Sequence, residues 1–360
     1  MRGRVPKQQS MLCLVSPESM VPEDHPLRPL KKLADEALKE LEPIFDQMYA
    51  KGGRHSIPPE RLLKALLLQA LFSIRSERQL CEQIQYNMLY RWFLDMEMTE
   101  EAFAPTTFTK NRERLLKHEV SAQFFLAVVE QARSAKLMSS DHFSVDGTLL
   151  EAWGSVRNFR PKDEDDDDQD NNGWGDFRGK KRSNETHESK TDPDAKLWRK
   201  GKGREAKLCY GANALMENRN GLLVDFRVDI INGRLEREAA LEMLDDSLDR
   251  HHRITLAADK GYDVKNFVAE LRERGIVPHV TQNITTHRGS AIDGRTTRHE
   301  SYTTSQRVRR RIEEIFGWLK TIGGLRRSNF RGVEKTRMAA ELAATAYNLL
   351  RISRLMAAAT

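Results

Sequence analysis

The sequence has few cysteines and no long apolar run. Its 360 residues include three cysteines, Cys13, Cys81 and Cys209, which lie far apart and form no CxxC or Cys/His pattern. This spacing argues against a zinc module and a disulfide framework, and it suits a reducing compartment. The most apolar stretch, residues 62–74, is too short to span a bilayer, and no secretory signal is visible at the N-terminus. We therefore expect a cytoplasmic protein.

Charge is abundant instead. Charged residues make up 31% of the chain, and the formal net charge is +6 although residues 161–204 contain a strongly acidic run. The basic residues are therefore concentrated elsewhere. This favours a polyanionic partner, although many proteins are mildly basic for other reasons.

Residues 1–138 have apolar side chains at helical spacing almost throughout. The sequence therefore predicts an all-helical N-terminal domain. Within it, SERQLCEQIQYN, a turn and TTFTKNRERLLKHE have the layout of a helix-turn-helix DNA reader, with Thr106 or Thr107 capping the second helix. The alternative is an ordinary surface helix with solvated cations. The candidate DNA contacts here are Lys110, Arg112 and Arg114.

Strands alternate with helices in the rest of the chain. Residues 141–340 predict a strand, a hairpin of strands that turns at Arg219-Asn220-Gly221, and then helices between further strands. This is the pattern of a mixed sheet flanked by helices, an α/β fold. Residues 161–204 interrupt it with polar sequence, which predicts an exposed or disordered insertion rather than a calcium loop.

Two aspartates stand at the ends of predicted strands, Asp146 in FSVDG and Asp259 in LAADKGY. Taken singly, each could merely cap the following turn. Taken together on neighbouring strands, they would repel each other unless a divalent cation lay between them. Hard oxygen ligands of this kind suit Mg²⁺ or Mn²⁺.

Two adjacent glutamates, Glu313 and Glu314, lie in the predicted helix RRRIEEIFGWLK. On a helical wheel Glu313 borders the apolar stripe and points to the sheet end that carries Asp146 and Asp259, whereas Glu314 points outward. An ion pair between Glu313 and Arg309 is the structural alternative. The apolar stripe comprises Ile312, Ile315, Phe316, Leu319 and Ile322.

These segments resemble the DDE transposases of bacterial insertion sequences, in the insertion-sequence-five-like group. The resemblance covers nearly the whole chain and rests on SERQLCEQIQYN, TTFTKNRERL, FSVDGT, LAADKGY and RVRRRIEEIFGWLKTIGGLRRSNFRG. The Arg-x3-Glu-x6-Lys signature of the family falls on Arg309, Glu313 and Lys320. A tyrosine often stands seven residues before the glutamate. That position is Gln306 here, and Tyr302 is the nearest tyrosine.

The resemblance implies an RNase H-like domain over residues 139–345, after the helical DNA-binding domain of 1–138 and before a C-terminal helix end at 346–360. It implies double-stranded DNA as partner, both as terminal inverted repeats and as target DNA. It also implies a homodimer on DNA, within the bacterial nucleoid. Further candidate DNA contacts are Arg309, Lys320, Tyr262, Arg326, Arg327 and Arg331.

The catalytic triad implied by the resemblance is Asp146, Asp259 and Glu313. In our hypothesis these residues hold two Mg²⁺ ions, with Mn²⁺ as a substitute: Asp146 bridges both ions, and each of the other acids holds one. The reaction would be cleavage at the ends of the insertion sequence and strand transfer into target DNA. Two other functions stay open from sequence. One is a non-catalytic DNA-binding protein derived from a transposase, and the other is a metal-dependent nuclease of the same fold.

Overall fold

The computed structural model describes residues 16–50, 52, 56–162, 183–199, 201, 203–248, 252–284 and 289–359. The chain divides into two compact units. The first contains Met1–Met138, Gly317–Gly324 and Glu341–Thr360, and the second contains Ser139–Phe316 and Leu325–Ala340. A compact unit need not fold alone, so the domain limits expected from sequence stay predictions.

The first unit is built from helices around α4, Pro59–Leu71. This helix begins with a proline at its first position, where no N–H is needed, and most of its side chains are buried. The buried Lys64 forms ion pairs with Asp35, at 2.8 Å, and with Asp95. The helices are α1 Pro17–Met20, α2 Leu27–Glu40, α3 Glu42–Met48, α4 Pro59–Leu71, α5 Glu77–Tyr86, α6 Met88–Phe93, α7 Thr106–Lys117 and α8 Val120–Ser134. Within the described ranges, no helix is both long and apolar enough to cross a membrane.

The second unit contains the strands. They are β1 His142–Glu151, β2 Phe159–Pro161, β3 His187–Ser189, β4 Lys196–Trp198, β5 Lys207–Glu217, β6 Leu223–Asp229, β7 Thr255–Ala258 and β8 Val277–Val280. The helices between them and after them are α9 Leu235–Ser247, α10 Lys265–Glu273, α11 Gly294–Thr297, α12 Glu300–Val308, α13 Arg311–Thr321 and α14 Val333–Ala359.

The main sheet has six strands in the order β4-β5-β1-β7-β8, and β6 also pairs with β5. β1, β5 and β6 are antiparallel neighbours, whereas β1, β7 and β8 run parallel. Parallel strands need crossover connections, and α10 supplies the one between β7 and β8. Three antiparallel strands, with two parallel strands on the other side of the first, are the strand order of the RNase H-like fold. The predicted fold class is therefore confirmed.

The hairpin between β5 and β6 depends on one buried carboxylate. Gly221 adopts a φ of +71° in the turn, which a glycine tolerates without strain. Glu217 is 0% exposed. Its carboxylate accepts backbone N–H groups from Ser139, Arg219, Asn220 and Leu222 at 2.7–3.2 Å. These bonds fix the turn and the start of β1 together.

Part of the predicted insertion is folded. β2 and β3 pair with each other, and β4 pairs with β5 of the main sheet. Asp192, fully buried, accepts a hydrogen bond from the Tyr210 hydroxyl at 2.6 Å. The expectation that 161–204 is disordered is therefore wrong for 183–199, because these residues find partners in the sheet. The acidic run lies outside the described residues.

We expect Glu217→Ala to lower the free energy of unfolding by about 3 kcal/mol, since buried backbone N–H groups would lose a charged acceptor. Urea unfolding followed by circular dichroism measures the change. The exposed Glu205 provides the control, and Glu205→Ala should stay within about 0.5 kcal/mol of wild type. Equal losses in both variants would contradict the role given to Glu217.

Candidate active site

Asp146 lies in the middle of β1, so its predicted position at a strand end is wrong. β1 continues to Glu151 because it pairs with β5 along its whole length. Its parallel pairing with β7 is much shorter and ends where Ser144 pairs with Ala257. The same register, extended by two residues, sets Asp146 beside Asp259. The β7 side of β1 is therefore open at Asp146, and the two aspartates meet there.

Each aspartate accepts a hydrogen bond from a nearby backbone N–H group. Asp146 accepts from Gly147 at 2.9 Å. Asp259 is the N-cap of the 3₁₀ turn Lys260–Tyr262 and accepts from Gly261 at 2.7 Å. The capping role that the sequence left open is thus real for Asp259. These local bonds leave further carboxylate lone pairs available at the site.

The environment of Asp146 disfavours its charged form. The pKa of Asp146 is raised to about 6, chiefly by burial and also by the charges of Asp259 and Glu236, while the Gly147 N–H and the Arg309 guanidinium oppose the rise. The cation Arg309 therefore does not offset the burial and the like charges. A divalent cation would do so, and the carboxylate oxygens are the ligands that Mg²⁺ and Mn²⁺ prefer.

Buried polar groups without partners surround the pair. Among the described residues, the Tyr262 hydroxyl, the Arg309 Nε and both side-chain polar atoms of Asn213 are buried with no hydrogen-bond partner. Such groups are costly unless a ligand or water pairs with them. Tyr262 is 1% exposed, so DNA does not reach it in this conformation, contrary to its expected role as a DNA contact.

Glu236 is a residue of this site that sequence reasoning missed. It lies in the first turn of α9, a helix that packs on β1, β5 and β6. A Cβ added at Gly147 would lie 2.8 Å from the Glu236 Cγ and 3.0 Å from its Oε1. A glycine at position 147 therefore leaves the space that the Glu236 side chain occupies next to β1. The glycine directly after Asp146 was the available signal.

The helix that carries Glu313 is broken, which changes the predicted geometry. α12 ends at Val308, Arg309 and Arg310 form a turn, and α13 begins at Arg311. The prediction of one continuous helix is therefore wrong. Glu313 and Glu314 both lie in the first turn of α13 and are both exposed. Acids there interact favourably with the helix dipole, and neither is singled out by burial.

Two further predictions for this helix, the ion pair and the apolar stripe, also differ from the structure. Within the part of the chain that the structure describes, the Glu313 side chain forms no ion pair with Arg309. Ile322, expected in the apolar stripe, is 38% exposed, because it follows the last turn of α13. Lys320 lies in that last turn and is partly exposed.

The structure therefore assembles part of the predicted triad. Among the described residues, no three His, Cys, Asp or Glu side chains are arranged to hold a metal ion. Asp146 and Asp259 lie side by side in the extended register, and the charges of Glu236 and Arg309 shift the pKa of Asp146 in opposite directions. The donor chemistry of the pair fits a hard divalent cation, while the third carboxylate is not in place.

Gln306 takes a structural role at the family's tyrosine position. Its Oε1 accepts a hydrogen bond from the Thr281 hydroxyl at 2.6 Å, and its amide donates to the His279 carbonyl. The Tyr302 hydroxyl donates to the Val280 carbonyl at 3.1 Å. Both side chains thus hydrogen-bond α12 to the end of β8.

The N-terminal cations differ in their availability for DNA. Arg112 is 11% exposed and paired with Glu77 of α5, so it acts in packing. Arg114 lies over the Tyr49 ring, 4.5 Å from its centroid. Lys110 is exposed.

The start of α7 also differs from the prediction. The helix begins at Thr106, and its N-cap is Pro105, with no side-chain capping bond. The predicted cap by Thr106 or Thr107 is wrong, because both threonines are already inside the first turn.

The basic segment before α14 lies along the end of β1. Arg327 forms a parallel bridge with Glu151, and its guanidinium donates to the Trp153 carbonyl at 2.7 Å. Arg326 and Arg331 are exposed. A separate cleft of about 970 Å³, at the other ends of β7 and β8, does not include the aspartates.

Comparison with known families agrees with this fold. The profile described as "Transposase DDE domain" matches residues 139–349, and the profile described as "Transposase domain (DUF772)" matches residues 15–114. The first match covers more than half of the chain. The chain therefore belongs to the transposases that carry a DDE domain. No curated protein matches it.

Solved structures of transposases show a distant similarity. A piggyBac transposase synaptic complex with hairpin DNA is 9% identical, with a TM-score of 0.46, and the match covers 92% of this chain and 76% of that one. A pre-cleavage Mos1 transpososome is 10% identical, with a TM-score of 0.21, and the match covers 88% of this chain and 87% of that one.

Ionisation of Asp146 should destabilise the metal-free protein. Its pKa is about 6 in the folded chain against an ordinary value of 3.8. Its stabilising contribution is therefore complete below pH 3.8 and is lost as the pH rises through 6. In EDTA at pH 8, Asp146→Asn should raise the free energy of unfolding by about 1–3 kcal/mol.

Urea unfolding between pH 4 and pH 8 (roughly spanning this titration) measures the effect. The gain should shrink toward the acid end, and the exposed Asp24→Asn should show none. A variant less stable than wild type in EDTA at the alkaline end would contradict the account.

Proposed function

We propose that this chain is a transposase that cuts the ends of its insertion sequence and joins them to target DNA, in a reaction that depends on a divalent metal. The observation that carries the proposal is the Asp146–Asp259 pair in an RNase H-like sheet, with Asp146 held at a raised pKa beside a like charge. The family membership supports the same reaction class.

Asp146 and Asp259 would hold the cation, Mg²⁺ or Mn²⁺. Glu313 would complete the site after α13 shifts, since no third carboxylate is arranged with the pair within the described residues. When bound, two such ions activate the attacking oxygen and neutralise charge on the phosphate. The Arg309 guanidinium lowers the pKa of Asp146, and because this residue is partly exposed it would bind a DNA phosphate near the pair.

The DNA partner follows from the family and from the basic surface. Double-stranded DNA, as terminal repeats and as target, would bind a homodimer in the bacterial nucleoid, because two ends must meet. Phosphate contacts by lysine and arginine position the duplex without reading its sequence. The proposed contacts are Lys110, Arg114, Arg309, Lys320, Arg326, Arg327 and Arg331, whereas Arg112 and Tyr262 are assigned to packing.

The direct test is cleavage of labelled duplex that carries the ends of the element, with Mg²⁺ or with EDTA. Asp146→Asn and Asp259→Asn should reduce cleavage by at least about a thousandfold while DNA binding stays intact, because the metal ligands supply most of the rate. Glu313→Gln should have a similar effect.

Glu314→Gln is the matched control, because Glu314 shares the first turn and the exposure of Glu313. It should cleave like wild type. Wild type that binds the ends and never cuts favours a non-catalytic DNA-binding protein. Cleavage without joined products favours a nuclease. Loss of activity only in Glu314→Gln would contradict the assignment of Glu313.

Binding should weaken steeply with salt, because phosphate contacts release counterions. Arg326→Ala and Arg331→Ala should each lower the slope of log K against log salt by about 1. Fluorescence anisotropy on duplex DNA measures the slope. Arg133, paired with Glu130 at 3.6 Å on α8, provides a control that should not change it. A slope that no arginine alters would contradict the proposed contacts.

A further inference from the structure

The surroundings of the aspartate pair include one acid that the proposed triad does not use. Glu236 reaches the pair from α9, and Asp259 and Glu236 are electrostatically coupled. Asp146 is coupled to both. Glu236 thus adds negative potential beside the aspartate pair from the position of Gly147, although no three carboxylates form a metal cage within the described residues.

A second observation points to a ligand at this place. Asn213 pairs with Gly147 across β5 and β1, so the two residues share one face of the sheet. Its Oδ1 lies 3.0 Å from the Cβ position of Gly147, as the Oε1 of Glu236 does. Asn213 is 0% exposed, and neither its Oδ1 nor its Nδ2 has a partner. A buried amide with both groups unpaired, next to a carboxylate, indicates a site for bound polar groups.

We propose that Glu236 is a positioning residue for the divalent cation at Asp146 and Asp259, acting from outside its ligand set together with Asn213. The inference rests on the proposed function, since it assumes that the aspartate pair binds the cation. Outer carboxylates of this kind orient the ligands and add negative potential at the site, and their loss typically weakens metal affinity by about 10–100-fold. Gly147 is the residue that lets the glutamate reach this position.

Metal affinity can be measured without DNA and without turnover. Titration of the full chain with Mn²⁺, with free ion counted by electron paramagnetic resonance, should show affinity about 10–100-fold weaker in Glu236→Gln. Glu238→Gln is the matched control, because Glu238 lies one residue beyond Arg237 on the same helix, is exposed, and is bonded to Asn232. It should bind Mn²⁺ like wild type. Glu236→Asp should restore part of the affinity.

A double-mutant cycle tests the path through Gly147. Gly147→Ala inserts a methyl group where the Glu236 side chain lies, so it should displace the carboxylate and weaken Mn²⁺ binding. In a Glu236→Ala background the methyl group no longer meets the glutamate and only the Asn213 Oδ1 stays close, at 3.0 Å, so Gly147→Ala should then weaken Mn²⁺ binding less than it does in wild type. Additive losses would show that Gly147 acts independently of Glu236 and would overturn this part of the inference.

The outcomes separate the inference from the proposed function. Weaker Mn²⁺ binding in Asp146→Asn and Asp259→Asn, with wild-type affinity in Glu236→Gln, would overturn the inference alone. Unchanged affinity in all of these variants would overturn the proposed function and the inference together. Thermal melts of each variant in EDTA confirm that the compared proteins are folded.

Discussion

Burial of the Asp146 carboxylate beside Asp259 is the constraint around which the second unit is arranged. β1 pairs with β7 over only a few residues, so the sheet opens at the point where the two carboxylates meet. On its other side β1 stays paired with β5, and this pairing continues past Asp146 to Glu151. α9 crosses the same strand at Gly147, where no Cβ stands in its way. The site is thus a local gap between β1 and β7.

The surrounding structure offsets the cost of this gap. β5 is buried at almost every position, and its end is fixed by the Glu217 carboxylate. α12 is fastened to β8 through Gln306 and Tyr302. A cation that binds only the folded chain would add stability by mass action, in proportion to its affinity. Under the proposed function the metal-free protein is the less stable form, and cation binding at the aspartate pair is coupled to folding.

The sequence predicted the fold class, the hairpin and the approach of the two aspartates, because each depends on local pattern or on the order of strands. Prediction from the sequence failed where strand pairing or a helix break sets the position of a residue. Only the ladder with β5 shows that Asp146 lies inside a strand, and only the folded chain shows the break at Arg309 that ended the helical-wheel argument for Glu313. Glu236 was missed because a glutamate in the first turn of a helix is common. What marks it is the contact with Gly147, which sequence spacing does not reveal.

The central claim is that Asp146 and Asp259 together bind a divalent cation. A crystal structure of the full chain soaked in Mn²⁺, with an anomalous difference map, tests it most directly. The account predicts a manganese peak within coordination distance of both carboxylates, roughly 2.0–2.4 Å from the nearest oxygens. Manganese bound elsewhere in the chain, with the aspartate pair empty at saturating metal, would contradict it.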